Sequence, residues 1–494
     1  MSGAVLLALE IVASRVIAPH LGNSIYVWGA LIGVFLAALA GGYFVGGVLA
    51  DRRPSRAVFA GVVFLAGALV VPIPVLAPQV LDRMLASGMG PRVVPLLATL
   101  LLFFLPAAVM GMISPFAVRL RARTVATIGN VAGVLYALST LGSIGGTLLA
   151  AFVLIAVMSV EDIVYLLGAV EMALGVLLWA AGRRTAAAVA AGLLAVGLVV
   201  GLPFASGREP PQGLRFQRDT PYHRITVTDE VGVRFLKLDA YWQSGMDLAD
   251  PRRTVFAYSD YLHMPLIFTP GARRVLFVGL GGGTTPKRYY QDYRQMAIDV
   301  VEIDPAVVAV AREFFAVPED ARLRLFAQDG RLFVTRSTQQ YDMIILDAYL
   351  IDTIPFHLAT REFFEAVRAH LTPGGVLASN IIGALEGPRS GFFRAVYKTL
   401  GEVFPSVYVF PVDLGRYGGE QGLRNIIVVG AQTPVPLSAG GVRAAAVRAR
   451  GLAGVSLPRF NEAAADLYTA PIRTADVPVL TDDFAPVEIL VQER

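Results

Sequence analysis

Apolar positions crowd the front of the chain and thin out behind it. Runs at roughly 3–18, 25–50, 57–80, 93–118, 128–158, 160–181 and 186–204 are nearly free of charge. Most reach the length of about twenty residues that a bilayer demands of a helix. They predict a multi-pass α-helical membrane domain of about seven helices over residues 1–206. The first run is read as a retained helix rather than a cleaved leader, since it has no basic start and no small-residue cleavage site. It carries Glu10 and Arg15, close enough on a helix to pair inside a bundle, and charges at membrane depth are functional candidates by default. Small residues recur at helical spacing at Gly42, Gly46 and Ala50, and again at Gly142 and Gly146; such spacing lets helix backbones approach closely.

Behind Arg208 the period changes to that of a globular domain. Arg224 to Asp229 and Val233 to Asp239 alternate around the turn Glu230-Val231-Gly232, which is a β-hairpin signal. This hairpin subdomain is expected over 207–250. A helical stretch follows from Thr254 to Leu266. Short apolar strands then alternate with helical stretches: Val275–Val278, Asp299–Ile303, Leu323–Phe326, Met343–Leu346 and Val376–Asn380. Leu371-Thr-Pro-Gly-Gly375 is read as a helix stop and turn before the last of them. The alternation predicts an α/β domain over 251–494, with a mostly parallel, doubly wound sheet covered by helices.

Composition agrees with a membrane half joined to a soluble half: 55% of residues are hydrophobic and 16% charged. The net charge is +4, and the cations cluster at Arg52, Arg53 and Arg56, at Arg119, Arg121 and Arg123, and at Arg183 and Arg184, all at ends of apolar runs. They read as membrane-flanking charge. No basic patch is interleaved with aromatics, so no nucleic-acid partner is expected. With no cysteine there is no disulfide, no thiolate nucleophile and no Cys-type zinc site, and no metal site is expected. The basic loops fall on one side by alternation, which the positive-inside rule makes cytoplasmic. A seventh crossing would then put the soluble half outside, whereas a supply of nucleotide substrate favours the cytoplasm. The expected location is the plasma (inner) membrane.

The candidate chemistry lies where parallel strands end, the place at which doubly wound sheets bind nucleotides. The first α/β strand runs into Gly279-Leu-Gly-Gly-Gly283. The second ends at Glu302 and Asp304, the third at Asp329-Gly330, and the fourth at Asp347. Glycines let the backbone approach a ligand, and an acid such as Glu302 at the second strand end accepts both hydroxyls of a ribose. The loop is neither a Walker loop nor GxGxxG. The sites taken together, in order, predict a nucleoside pocket.

At these residues the chain resembles the spermidine synthase (aminopropyltransferase) family in its membrane-fused form, over about residues 215–415. The resemblance implies a Rossmann-like, methyltransferase-type fold behind a small β-hairpin domain, and a homodimer. It implies that Tyr222-His223 stands where the family has Tyr-Gln, and that Gln243 in Leu238-Asp-Ala-Tyr-Trp-Gln243 contacts the nucleotide. The stretch from Tyr258 to His263 is similar to the family's Tyr-His-Glu-x-x-x-His, with the tyrosine displaced by one. His223, Gln243, Tyr258, His263, Gly279, Gly281, Glu302, Asp304, Asp329 and Gly330 are thus implied to bind the nucleoside substrate. Glu302 would serve the ribose, and Asp329-Gly330 the adenine. Asp347 is implied as the base that takes a proton from the attacking amine, with Tyr349 and Asp352 beside it. Leu480-Thr-Asp-Asp483, Pro486 and Glu488 resemble the tail of the membrane-fused members.

The chain departs from the family at two acids. Gly282 stands where the family has the loop Asp that holds the amino group of decarboxylated S-adenosylmethionine. Leu350 replaces the second acid of Asp-x-x-Asp-Pro, with Asp352 two positions later. The expected activity is an aminopropyl transfer from S-adenosylmethionine or its decarboxylated form, as a co-substrate with no tightly bound cofactor. The acceptor is a small amine or polyamine, and membrane lipid is the other partner. Two alternatives stay open: methyl transfer or lyase/cyclase chemistry on intact S-adenosylmethionine, and a transporter or sensor that binds a nucleoside or polyamine without turnover.

Overall fold

The computed structural model describes the chain except residues 22–23, 88, 91, 123, 181–211, 350–352, 417 and 493–494. The last apolar run, 186–204, and Asp352 therefore lie outside the described residues. Contacts divide the chain into two compact units, one of 1–212 with 218–224, the other of 213–217 with 225–494.

The first unit is helical. Among the described residues five helices are long and apolar enough to cross a membrane: Ser2–Leu21, Ile25–Arg52, Val93–Arg121, Thr127–Leu154 and Val160–Ala180. The run expected as one span over 57–80 is instead broken into Arg56–Val70 and Ile73–Ala86, bent by 51°. Pro72 and Pro74 explain the break, because proline removes a backbone donor and clashes with the preceding turn. The small-residue stripes do pack. A Cβ on Gly42 would lie 2.1 Å from the Ala108 carbonyl, one on Gly46 would lie 2.5 Å from Met112 Cα, and one on Gly146 would lie 2.1 Å from the Ala4 carbonyl. Arg119 pairs with Asp51 at 2.9 Å, which joins two of the basic helix ends on one side of the bundle. Arg15 donates to the backbone carbonyls of Pro221 and Tyr222, within the same unit, rather than forming the expected pair with Glu10.

The second unit holds two sheets. The smaller, which lies in this unit except for residues 218–219 and 224, has four strands in sequential order, β1 Leu214–Asp219, β2 Arg224–Glu230, β3 Val233–Leu238 and β4 Tyr241–Asp247, antiparallel from β2 to β4. The expected hairpin is β2–β3, paired from Ile225↔Leu238 to Glu230↔Val233. The larger sheet contains β5 Arg274–Val278, β6 Ala297–Glu302, β7 Leu323–Ala327, β8 Tyr341–Leu346, β9 Leu371–Gly383, β10 Ser406–Pro411 and β11 Arg424–Ala431. Its order is β10-β11-β9-β8-β5-β6-β7. Strands β5 to β9 run parallel, and β10 and β11 are antiparallel additions.

Alternate residues of these strands enter different cores. Val275 and Phe277 pack on one face with Ile298, Val300, Met343 and Ile345. Leu276 and Val278 pack on the other with Val301, Ile344 and Leu346. Burial on both faces is why the strands read as continuous apolar runs. Two local expectations fail. The Thr254–Leu266 stretch yields only a short helix at Tyr258–Tyr261 and a 3₁₀ turn at Met264–Ile267, since Pro265 removes a donor there. Leu371-Thr-Pro-Gly-Gly375 belongs to β9, with the register shifting between Tyr341 and Met343.

Candidate active site

Chain order fixes where a site forms. From β5 the chain winds outward through β6 to β7, then returns to place β8 on the other side of β5. The carboxyl ends of β5 and β8 are therefore a topological switch point, where crevices open in α/β sheets. The glycine loop and Asp347 occupy it. Gly279 has φ of +101°, a conformation that favours glycine, and a Cβ there would lie 2.2 Å from the Asp347 carbonyl oxygen. The Asp347 amide donates to Val278 O at 2.9 Å, so loop and carboxylate are held together by the sheet itself.

Glu302, at the end of β6, is turned back onto the loop. Its Oε2 accepts from the Leu280 amide at 3.1 Å and its Oε1 from the Asp304 amide at 3.0 Å. Asp304 is buried and caps the helix Pro305–Phe315, accepting from the Ala306 amide at 2.8 Å. Asp329 follows β7 and caps the helix Gly330–Arg336, with Oδ1 accepting from the Leu332 amide at 2.8 Å. Gly330 is required by packing, because a Cβ there would meet Val278 Cγ1 at 2.5 Å. The sheet thus lines up a glycine loop and the carboxylates Glu302, Asp329 and Asp347 along adjacent strand ends.

Asp347 sits in a perturbed environment. Burial pushes its carboxyl up to about 6, against the opposing effect of a hydrogen bond from Asn380. Asn380 Nδ2 donates to Asp347 Oδ1 at 2.8 Å, and Asn425 Nδ2 donates to Asn380 Oδ1 at 3.0 Å. The chain Asn425–Asn380–Asp347 sets the orientation of the carboxylate from β11 through β9. Tyr349 donates its hydroxyl to the Asn380 carbonyl at 2.7 Å, which pins the segment after Asp347 to β9. Tyr258 stands close enough that burial, and after it the Asp347 charge, hold its phenol well above its ordinary value. Its hydroxyl donates to the Gln243 carbonyl at 3.4 Å. The next residue on β4, Ser244, accepts from the Gly282 amide at 2.8 Å, so β4 lies against the glycine loop.

Two sequence candidates sit elsewhere. His263 is buried, stacked on Tyr289 with ring centroids 4.4 Å apart, and its Nδ1 is 2.7 Å from the Tyr293 hydroxyl. Burial pushes its imidazole down to about 3, so it is a neutral core group under the helix Thr284–Asp292. His223 is buried in a turn closed by Thr220, whose amide donates to its carbonyl at 2.9 Å, and this turn groups with the helical unit.

Sequence reasoning missed Ser244, Asn380 and Asn425. Asn380 left a signal: it is a polar residue inside an apolar strand. Asp482 in the tail is not idle surface charge either. Arg331 donates to Asp482, and the Thr360 hydroxyl donates to Asp482 at 2.7 Å. Among the described residues no group of three or more His, Asp and Glu is placed to hold a metal ion.

A family model described as a spermine/spermidine synthase domain matches residues 255–420. The polyamine aminopropyltransferase of Vibrio vulnificus is 31% identical over 205 residues, covering 40% of this chain and 68% of that protein. A probable polyamine aminopropyl transferase of Bifidobacterium longum is 30% identical over 252 residues, covering 49% of this chain and 54% of that protein. Among solved structures, a probable spermidine synthase from Corynebacterium glutamicum superposes with a TM-score of 0.42 at 21% identity, over 55% of this chain and 100% of that one.

Proposed function

We propose, from the premise that the chain belongs to the spermine/spermidine synthase family, that it is a membrane-anchored aminopropyltransferase. Its donor is a sulfonium nucleoside, decarboxylated S-adenosylmethionine, and its acceptor is a small amine or polyamine. The observation that carries this reading is the alignment of Glu302, Asp329 and Asp347 with the glycine loop along neighbouring strand ends.

The donor carbon is already activated by the positive sulfur, so the protein has to hold two molecules in line and take up one proton. Positioning of this kind supplies about 7–11 kcal/mol of a barrier. Glu302 receives the ribose hydroxyls and Asp329 the nucleobase. The amine nitrogen attacks the carbon attached to sulfur and forms the new C–N bond. The C–S bond breaks, its electrons stay on sulfur, and methylthioadenosine leaves as a neutral thioether. The proton lost from nitrogen passes to Asp347, whose carboxyl, raised to about 6 by burial, is ionised at neutral pH yet basic enough to accept it. Asn380 holds that carboxylate on one oxygen and leaves the other for the amine.

The apolar helices of the first unit anchor the protein in a membrane. We place the catalytic unit on the cytoplasmic side, where the donor is made. The test is mass spectrometry of the full chain in detergent, incubated with decarboxylated S-adenosylmethionine and a panel of amines. Methylthioadenosine formed in step with an aminopropylated amine is the expected result. Adenosylhomocysteine formed from intact donor, or no product with any amine, would overturn the proposal.

A further inference from the structure

One histidine that the reaction above leaves unused, His357, stands beside Asp329. His357 Nε2 lies 3.6 Å from Asp329 Oδ2, with side chains 35% and 27% exposed. The two groups face each other at ion-pair distance, and their exposures leave both reachable by a ligand. Asp329 has committed Oδ1 to the Leu332 amide, which leaves Oδ2 on the histidine side.

We propose that His357 reads the nucleobase together with Asp329: the carboxylate accepts from the exocyclic amino group of adenine, and the imidazole N–H donates to the ring nitrogen beside it. This rests on the transferase reading and adds a specificity residue to it. Adenine offers a donor amino group next to unprotonated ring nitrogens. The protein offers the complement, an acceptor next to a donor. Hypoxanthine has a carbonyl oxygen in place of the amino group, so it would meet Asp329 acceptor to acceptor.

The tautomer follows from the surroundings. Facing the Asp329 carboxylate favours the proton on Nε2. Burial, the largest influence, holds the imidazole below its ordinary value, which keeps it neutral with a single N–H to give. The backbone of His357 is also held. Arg331 Nη1 donates to the His357 carbonyl at 2.8 Å, while the same guanidinium grips Asp482. Thr360, three residues on, caps the helix Arg361–Ala369 and donates to Asp482 as well. A histidine whose backbone is held beside an acid in this way is a built recognition element rather than a mobile surface group.

The test compares binding of methylthioadenosine and methylthioinosine to the full chain in detergent by calorimetry. The wild-type protein is expected to prefer the adenine compound. His357→Ala should weaken methylthioadenosine about tenfold, change methylthioinosine little, and so shrink the preference. His357→Gln, which keeps an N–H donor, should retain most of the preference. The unmutated protein gives a second readout: methylthioadenosine should slow modification of His357 by diethylpyrocarbonate, followed by peptide mass spectrometry. An unchanged preference in His357→Ala, an equal loss in His357→Gln, or absence of protection in the wild type would each overturn the proposal. If the wild type binds neither nucleoside, the transferase reading itself falls. If it binds methylthioadenosine with a preference indifferent to His357, only this inference does.

Discussion

Asp347→Asn should separate chemistry from binding and also make the fold more stable. The wild-type carboxyl is pushed up to about 6 from an ordinary value of 3.8 by burial. At about 1.4 kcal/mol per tenfold change in proton affinity, carrying that group ionised costs the native state about 3 kcal/mol at pH 8. The amide is isosteric, keeps an oxygen for Asn380 Nδ2, and carries no charge to desolvate. The sign is fixed by linkage. A carboxyl with a raised native value contributes stability that is fully present below 3.8 and lost as pH rises through about 6. The variant lacks this term, so its advantage is greatest above pH 6 and vanishes near pH 4. For a unit of this size each kcal/mol moves a melting point by roughly 2–4 °C, giving a gain of several degrees at pH 8. The assay is a pair of thermal scans at pH 8 and pH 4, with turnover and methylthioadenosine binding measured on the same samples. Turnover should fall by at least about a hundredfold, as for loss of a general base, with binding kept. A variant that melts below the wild type at pH 8 would refute the burial argument. One that turns over within a few-fold of the wild type would refute the role of Asp347 as base.

Other outcomes follow from the same geometry. Because the reaction needs the ionised carboxylate, kcat/KM should decline as pH falls through about 6, read from a pH–rate profile; a flat profile down to pH 5 would contradict it. Asn380→Leu removes the hydrogen bond that lowers the Asp347 value, so the acidic limb should move to higher pH and kcat should fall more than KM rises. Glu302→Gln should raise the KM for the donor about tenfold or more with kcat little changed; an unaltered KM would remove it from the ribose site. Gly282→Ala sets a Cβ 2.8 Å from Ser244 Cβ and 3.0 Å from the Phe315 ring, an overpacking expected to cost about 1–3 kcal/mol in a denaturation experiment. With no native cysteine, a single Gln340→Cys reports sidedness: in intact cells it should resist a membrane-impermeant thiol reagent, and labelling would place the catalytic unit outside.

Much of this site was legible before any coordinates. Gly279, Glu302, Asp329 and Asp347 announce themselves because each closes an apolar strand, and strand ends in a doubly wound sheet converge. Residues that act across sequence distance were not legible. Ser244 meets the glycine loop only because β4 folds over it, and Asn425 reaches Asp347 only through β9. Neither has local periodicity that betrays a partner. His263 misled for the opposite reason: its neighbours in sequence resemble a binding segment, while its side chain turns into the Tyr289–Tyr293 core. The bend after Val70 was written in Pro72 and Pro74, yet hydrophobic content alone ran across it. Strands β10 and β11 escaped because apolar runs so late in the chain carry no motif, and pairing with β9 is a tertiary fact.

The guanidinium of Arg331 makes the catalytic unit sensitive to its own last stretch of chain. Asp482 arrives from 151 positions downstream, and with it the Leu480 amide, which donates to the Thr399 hydroxyl at 2.9 Å. A product shortened before Leu480 would keep all strands of both sheets. It would nevertheless release the arginine that steadies the carbonyl of His357. Nicked or prematurely terminated material would therefore look folded by spectroscopy and yet hold its nucleoside poorly, a hazard when activity is normalised to total protein.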